Sequence, residues 1–273
     1  MDKKKDLIIF ESSSSDGEGD ANCGKTLFDG TSIVKVGIHN GKFTLGDVLA
    51  CVITKINFDK IIVTRSRDQD VLDTCDVIFG VGGMYDPEHY KFDRHQKNFD
   101  VKFDAASNIL LSSAGIAWKV FGKSLITKWL GELKTNPVKE NPRFIEEVFI
   151  SIYYKYIFEI DAIEGGVPRL KNEAESLLTE NYSFEMNLSD IILNYNSLYV
   201  ENDDEQLKSF NNAMQTVEDI FVISAKKLIV EKIEFFNYDS DFQNKYDDPT
   251  KLPEILDVTD WINSYTQLLS KFF

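Results

Sequence analysis

From Ser32 onward, short apolar runs alternate with helical segments, and this alternation constrains the fold more than any other feature. The runs "SIVKVGI", "KIIVTRSR" and "DVIFGVGG" are typical of buried strands, whereas "TLGDVLACVITKI" and "DQDVLDTC" are typical of helices. Strands that alternate with helices are joined by right-handed crossovers and pair in parallel. The sequence therefore predicts an α/β fold, a parallel sheet with flanking helices, whose ligands bind at the carboxyl ends of the strands.

The second half of the chain is predicted to be helical. Two long helix candidates are "SSAGIAWKVFGKSLITKWL" and "NPRFIEEVFISIYYKYIFEIDAIEGGVP", and Gly165, Gly166 and Pro168 end the second one. Apolar residues then recur every three or four positions, which predicts a buried helix face: Leu207, Phe210, Met214, Val217, Phe221, Ala225 and Leu228. We divide the chain into a flexible, acidic and Ser-rich tail (1–30), an α/β domain (31–170) and a helical C-terminal region (171–273).

A phosphate-loop pattern, "GDANCGKT", runs from Gly19 to Thr26 inside the predicted tail. A genuine phosphate loop needs a buried strand directly before its first glycine and a helix from its Lys-Thr pair. Here "ESSSSDGE" separates the pattern from the nearest apolar run, and Gly30 follows soon after it. We therefore predict no nucleotide site; an NTPase would require ATP binding that is lost in a Lys25→Ala variant.

The charge of the chain limits its partners. The formal net charge is −15, so the chain as a whole gains nothing from non-specific attraction to nucleic acid or an anionic membrane. Its three cysteines (Cys23, Cys51 and Cys75) share no metal-type spacing and are predicted to be reduced thiols. With no long apolar run, we expect a cytoplasmic protein that has no membrane or DNA partner.

Residues 82–99, "GGMYDPEHYKFDRHQKNF", carry the most specific motif. Together with "VGIHNGKF", "VTRSRD", "LSSAGIAWKVFG" and "EIDAIEGGV", which occur in the same order, the motif resembles the MYG exonuclease family, a relative of the DHH phosphoesterases. The resemblance covers residues 31–170 well. It implies a DHH-phosphoesterase-like α/β domain that holds two divalent metals for 3′-to-5′ RNA cleavage.

Several metal-ligand positions of the family pattern are substituted in this chain. The resemblance assigns residual metal-site positions to His39, Asp93, His95 and Asp161. It assigns substituted ligand positions to Thr44, Gly46, Asp47, Gly80 and Arg94. A two-metal site needs carboxylates and imidazoles, and a guanidinium cannot ligate a cation. We expect Arg94 to pair with Asp93 or with a phosphate instead.

Several of these residues also have a local structural interpretation. "TLGD" fits a capping box in which Thr44 and Asp47 bond each other's backbone at a helix start. His39 and His95 are alternatively core histidines that hold loops, and Asp161 alternatively faces solvent near a helix end.

Two functions remain open. The first is a catalytically inactive pseudoenzyme, which is not an enzyme and has no cofactor. The resemblance implies that it binds RNA or a ribonucleoprotein, chiefly the ribosome (rRNA and ribosomal proteins), as a dormancy or hibernation factor. Its candidate RNA or partner contacts are Lys3, Lys4, Lys5, Arg65, Arg67, Lys91, Arg94 and Lys97. The second is a residual metal-dependent 3′-to-5′ RNA exonuclease or phosphoesterase, with Mn or Mg held at low occupancy by the four residual positions.

Overall fold

The computed structural model describes residues 6–11, 33–58, 60–133, 141–169, 187–196 and 203–246. The chain divides into two units, Met1–Leu228 and Ile229–Phe273; in the second unit, the described residues are helical as far as Tyr246. This division differs from the predicted boundary near residue 170, which stays a prediction. Within the described ranges, no helix is both long enough and apolar enough to cross a membrane.

A six-stranded sheet lies in the first unit, in the order β1-β3-β2-β4-β6-β5. The three central pairings (β3 with β2, β2 with β4, and β4 with β6) are parallel, and the two outermost pairings are antiparallel. The strands are β1 (Asp6–Glu11), β2 (Ile33–Ile38), β3 (Lys60–Arg65), β4 (Val77–Phe79), β5 (Tyr85–Asp86) and β6 (Lys91–Phe92). The predicted α/β fold with a mostly parallel sheet is therefore confirmed.

Strand β1 lies within the segment that the sequence assigns to a flexible tail. "DLIIFE" pairs along its whole length with β3, from Asp6 opposite Arg65 to Glu11 opposite Lys60. Without β1, the N–H and C=O groups on this edge of β3 would be unpaired. The pairing with β1 gives them hydrogen-bond partners along the whole strand. The Gly19–Thr26 pattern and Lys3–Lys5 lie outside the described residues.

Three of the helices begin at a capping side chain within or next to a predicted helical segment. Side chains of Thr44, Ser112 and Asn141 each accept a hydrogen bond from a first-turn amide of the helix that follows. The helices are α1 (Leu45–Asn57), α2 (Gln69–Leu72), α3 (Ser113–Glu132), α4 (Pro142–Ile152), α5 (Phe158–Glu164), α6 (Leu188–Leu193) and α7 (Asp203–Tyr246). A π-helical turn, Tyr153–Ile157, joins α4 to α5, so the predicted long helix is present with one irregular turn.

Helix α1 is the centre of the core. Every residue from Leu45 to Lys55 is buried, and the helix packs against α3. The predicted apolar face of α7 is also buried from Phe210 to Leu228, and the Phe221 ring meets Trp118 edge to face with a centroid distance of 6.0 Å. Helix α1 reaches the site described next through Asp47, which bonds to His39.

Candidate functional site

An open cavity of about 580 Å³ lies at the carboxyl ends of β2 and β4. His39 follows β2, the glycine loop Gly80–Gly83 follows β4, and Asp93 follows β6. The lining residues are His39, Arg67, Gln69, Gly80, Val81, Gly82, Gly83, Asp93 and His95. The fold thus brings three of the four residual metal-site positions to one cavity, at the sheet edge where a parallel sheet binds its ligands.

His39 is held by two acceptors. Its Nε2 lies 3.1 Å from Asp47 Oδ2, and its Nδ1 lies 3.1 Å from the carbonyl oxygen of Asn40. The hydrogen bond with Asp47 raises the pKa of His39 above its ordinary value, although burial opposes the shift. Because both ring nitrogens face acceptors, the arrangement is satisfied by the imidazolium, which donates from both. The arrangement therefore favours the charged form of His39, paired with Asp47, and engages both of its N–H groups within the chain.

The Asp47 carboxylate is positioned by the predicted capping box. Its Oδ2 accepts from Thr44 N and Thr44 Oγ1, each at 3.0 Å, and the Thr44 hydroxyl accepts in turn from the Asp47 amide. Burial acts to raise the pKa of Asp47, but the bonds from His39 and Thr44 outweigh it and the net pKa is lowered. Asp47 is thus an ionised partner for His39.

Asp93 and His95 form a second carboxylate–imidazole pair. Asp93 Oδ1 accepts from His95 Nδ1 at 2.8 Å and from the His95 amide at 3.0 Å, while Oδ2 accepts from the Gly83 amide at 2.8 Å. Burial acts to raise the pKa of Asp93, yet these hydrogen bonds lower it overall. The His95 side chain is 59% exposed, and its Nε2 bonds to no described residue. Asp93 therefore orients His95 and leaves Nε2 available to a ligand.

The glycine loop explains the substitution at position 80. Gly80, Gly82 and Gly83 all have positive φ, between 65° and 99°, a conformation that L side chains rarely adopt. A Cβ at Gly80 would also lie 3.1 Å from Ser113 Oγ and 3.4 Å from Asp47 Oδ1. The loop in this form therefore does not suit the aspartate of the family pattern.

Arg94 pairs with Glu164, which differs from the expected pairing with Asp93. Its Nη2 lies 3.2 Å from Glu164 Oε2, and its Nη1 donates to the Glu164 carbonyl oxygen at 3.4 Å. The other carboxylate oxygen of Glu164 accepts from the Gly46 amide at 2.6 Å. Burial and the nearby Asp47 charge raise the pKa of Glu164, while Arg94 opposes the shift. Glu164 therefore links the start of α1 to the loop that carries Arg94.

Asp161 is buried away from the cavity and does not face solvent. Its Oδ1 accepts from Ser112 N at 2.8 Å and Ser112 Oγ at 2.6 Å, and its Oδ2 accepts from the Tyr153 hydroxyl at 2.8 Å. Burial raises the pKa of Asp161 to about 6 despite these bonds. Asp161 fixes the amino terminus of α3 and is not among the residues that line the cavity.

The residues present do not fit the metal centre that the family resemblance implies. Among the residues that the structure describes, no three His, Cys, Asp or Glu side chains are grouped so that they could hold a metal ion. At least one carboxylate oxygen of Asp47, of Asp93 and of Asp161 already accepts a hydrogen bond from a protein donor. Arg94 places a cation beside Glu164. The cavity instead offers an anion the Arg67 guanidinium and the exposed His95 imidazole.

The predicted RNA contacts are spread over different environments. Arg65 is buried at 2% exposure, with its guanidinium over the Phe43 and Phe210 rings, and its contact with RNA or a partner stays a prediction. Lys91 lies 3.6 Å from Asp73, and Lys97 is exposed. Arg67 is exposed, lines the cavity, and makes no ion pair with a described residue. Of the predicted contacts in the described ranges, Arg67 is the one on the cavity wall.

The sequence analysis missed Glu164 and Gln69. Glu164 lies one helical turn after Asp161 in "EIDAIEGG", and its acidic type alone does not distinguish it from a solvent-exposed residue. The sequence signal for Glu164 was indirect. A glycine at position 46 leaves space for a buried carboxylate, and an arginine at position 94 gives that carboxylate a partner of opposite charge.

Comparison with known proteins identifies the family. The MYG1 exonuclease family, described as "Uncharacterised protein family (UPF0160)", matches residues 35–269, which is more than half of the chain. The MYG1 exonuclease of Homo sapiens is 27% identical over 195 residues, 69% of this chain and 49% of its own length. The MYG1 protein of Schizosaccharomyces pombe is 35% identical over 138 residues, 50% of this chain and 41% of its own length. The chain thus spans about half the length of these relatives. No solved structure matches it.

These relatives correct one prediction. The expectation that the chain is not an enzyme is contradicted, because the mammalian relatives are named exonucleases and the family is therefore one of enzymes. Substitution at ligand positions does not by itself establish a loss of activity. On the match over residues 35–269 and on these relatives, the chain belongs to the MYG1 exonuclease family.

Proposed function

We propose that this chain is a nuclease of the exonuclease class that acts on RNA, and that the cavity at the carboxyl ends of β2 and β4 binds a backbone phosphate. The observation that carries the proposal is the convergence of His39, Arg67 and the His95–Asp93 pair on one cavity. The reaction class is taken from the relatives that are named exonucleases, and RNA is the substrate class that the family resemblance implies.

Arg67 places a cation on the wall of the cavity. Against a net charge of −15, a nucleic acid must bind through local cations. Arg67 is exposed on the cavity wall and makes no ion pair with a described residue, whereas the charge of His39 is paired with Asp47. A guanidinium donates charge-assisted hydrogen bonds to phosphate oxygens. This wall of the cavity therefore suits one backbone phosphate.

His95 is the proton carrier in this proposal. Asp93 holds Nδ1–H, so the Nε2 lone pair accepts a proton from the water that attacks phosphorus. The bond from phosphorus to the leaving ribose oxygen breaks, and the imidazolium returns the proton to that oxygen. Arg67 stabilises the negative charge that develops on the phosphoryl oxygens.

The test compares His95→Ala with a matched histidine. His89 is also exposed, at 70%, and its Nδ1 lies 2.7 Å from Asp86, but it does not line the cavity. The rate of shortening of single-stranded RNA, labelled at either end, is measured for the full chain and both variants. We expect His95→Ala to lose on the order of 100-fold or more in rate and His89→Ala to keep it. Equal rates for the two variants would show that His95 is not the proton carrier.

Association with the ribosome, a dormancy role, an Mn or Mg cofactor and a cytoplasmic location stay predictions.

A further inference from the structure

We infer that Arg94, held by Glu164, is a built-in cation that takes the place of a metal ion at the start of α1. The inference goes beyond the proposed function, because it concerns how the site is held together whatever substrate it takes. It rests on the contacts of Glu164, on the space at Gly46, and on the balance of charge around them.

The contacts of Glu164 join three separate parts of the fold. Its Oε1 accepts from the Gly46 amide at the start of α1, and its Oε2 accepts from Arg94 after β6, while Glu164 itself ends α5. The Glu164 side chain is 7% exposed and that of Arg94 is 21% exposed. A carboxylate that bridges a helix amino terminus and a guanidinium performs the linking role that a metal ion performs between carboxylates.

The space at Gly46 is already taken by the Glu164 carboxylate. A Cβ at position 46 would lie 2.6 Å from both Glu164 Cδ and Glu164 Oε2, a separation that real Cβ atoms essentially never show. An aspartate at position 46, as in the family pattern, and Glu164 in its present place therefore exclude each other. Gly46, Glu164 and Arg94 form one consistent set of substitutions.

The charges around this set balance without a further cation. Asp47 and Glu164 are neighbouring carboxylates, close enough for the charge of Asp47 to act on that of Glu164. His39 pairs with Asp47, and Arg94 pairs with Glu164. One positive partner thus stands beside each carboxylate, and both partners belong to the chain.

Thermal unfolding of the full chain tests the inference in EDTA and in MnCl₂. We expect the wild-type Tm to be the same in both solutions to within about 1 °C, because the stability of the fold does not depend on a bound metal ion. Arg94→Gln should lower Tm by about 5–10 °C, because it leaves the buried Glu164 charge without its partner. The control is Arg143→Gln, an exposed arginine on α4 that has no ion pair with a described residue, and its Tm should not change.

A second pair of variants keeps the test informative if Arg94→Gln does not fold. In Glu164→Gln the side-chain oxygen still accepts from the Gly46 amide, and Arg94→Gln/Glu164→Gln removes both charges together. We expect the Tm of the double variant to fall by less than the sum of the decreases in Tm of the two single variants. Three results would each overturn the inference. The decreases in Tm of the two single variants could add up in the double variant, the wild-type Tm could fall in EDTA, or the wild-type Tm could rise with stoichiometric Mn²⁺. None of these readouts involves RNA, so they are independent of whether the chain cleaves it.

Discussion

Glu164 Oε1 lies 2.6 Å from the backbone nitrogen of Gly46, although 118 residues separate the two along the chain. This hydrogen bond satisfies one of the amides that a helix amino terminus leaves without an intrahelical partner. It also brings a carboxylate to within reach of Arg94, at 3.2 Å. The contact therefore connects the packing of α1 to the electrostatics of the site.

The first prediction concerns Gly46→Ala. The added methyl group would collide with the Glu164 carboxylate, so we expect the free energy of unfolding to fall by about 1–3 kcal/mol. In a Glu164→Ala background the collision is gone, and Gly46→Ala should then cost far less. Chemical denaturation of the four proteins measures both costs, and an equal cost in the two backgrounds would contradict the contact.

Arg67→Ala is predicted to weaken RNA binding through the loss of one phosphate contact. Each phosphate that a protein neutralises contributes about 0.7–0.9 to the slope of log K against log salt concentration, so the slope should become shallower by about that amount. Fluorescence anisotropy with labelled single-stranded RNA at several salt concentrations measures it. Arg143→Ala removes an equal charge outside the cavity, and an identical change in slope for this variant would show that Arg67 acts only through net charge.

The capping box at α1 gives a prediction about stability. Thr44→Ala removes the hydroxyl that accepts from the Asp47 amide and donates to the Asp47 carboxylate, so the free energy of unfolding should fall by about 1 kcal/mol. Thr44→Ser keeps the hydroxyl and should stay close to the wild type. Urea denaturation distinguishes them, and equal losses for alanine and serine would mean that the threonine methyl group, not the cap, matters.

Asp161 predicts a dependence of stability on pH. Its pKa in the folded protein is about 6 against an ordinary value of 3.8, so the folded state binds the proton more tightly. The stabilisation is complete below about pH 4 and is lost as the pH rises through about 6, an effect on the order of 3 kcal/mol at about 1.4 kcal/mol per pKa unit. Asp161→Asn, which cannot titrate, should lack this component. The difference in unfolding free energy between wild type and Asp161→Asn, measured from about pH 4 to pH 7.5, tests this; a constant difference would contradict it.

The central sheet and its helices could be predicted from the sequence because local patterns determine them. "SIVKVGI" and "TLGDVLACVITKI" became β2 and α1 with Thr44 as the cap, since buried β-branched runs and a T-x-x-D start are short-range signals. Strand β1 was missed because its pairing with β3 is long-range and antiparallel at an edge. The two-residue strands β5 and β6 are too short to show any periodicity.

The candidate site was only partly predictable for the same reason. The order of strands places His39 and Asp93 at one sheet edge, and this follows from the α/β pattern. The partner of Arg94 did not follow, because a guanidinium pairs with whichever carboxylate the tertiary structure brings near, and Glu164 lies 70 residues away. The burial of Arg65 and Asp161 likewise depends on packing that the local sequence does not encode.

The rate of RNA shortening by the full wild-type chain, measured in EDTA and in Mn²⁺, tests the account most directly. If the cavity works through His39, Arg67 and His95, the chain shortens RNA at equal rates in the two solutions. Shortening that occurs only with Mn²⁺ would contradict the account, because the reaction would then depend on a cation from outside the chain. No shortening in either solution would contradict the proposed nuclease function itself.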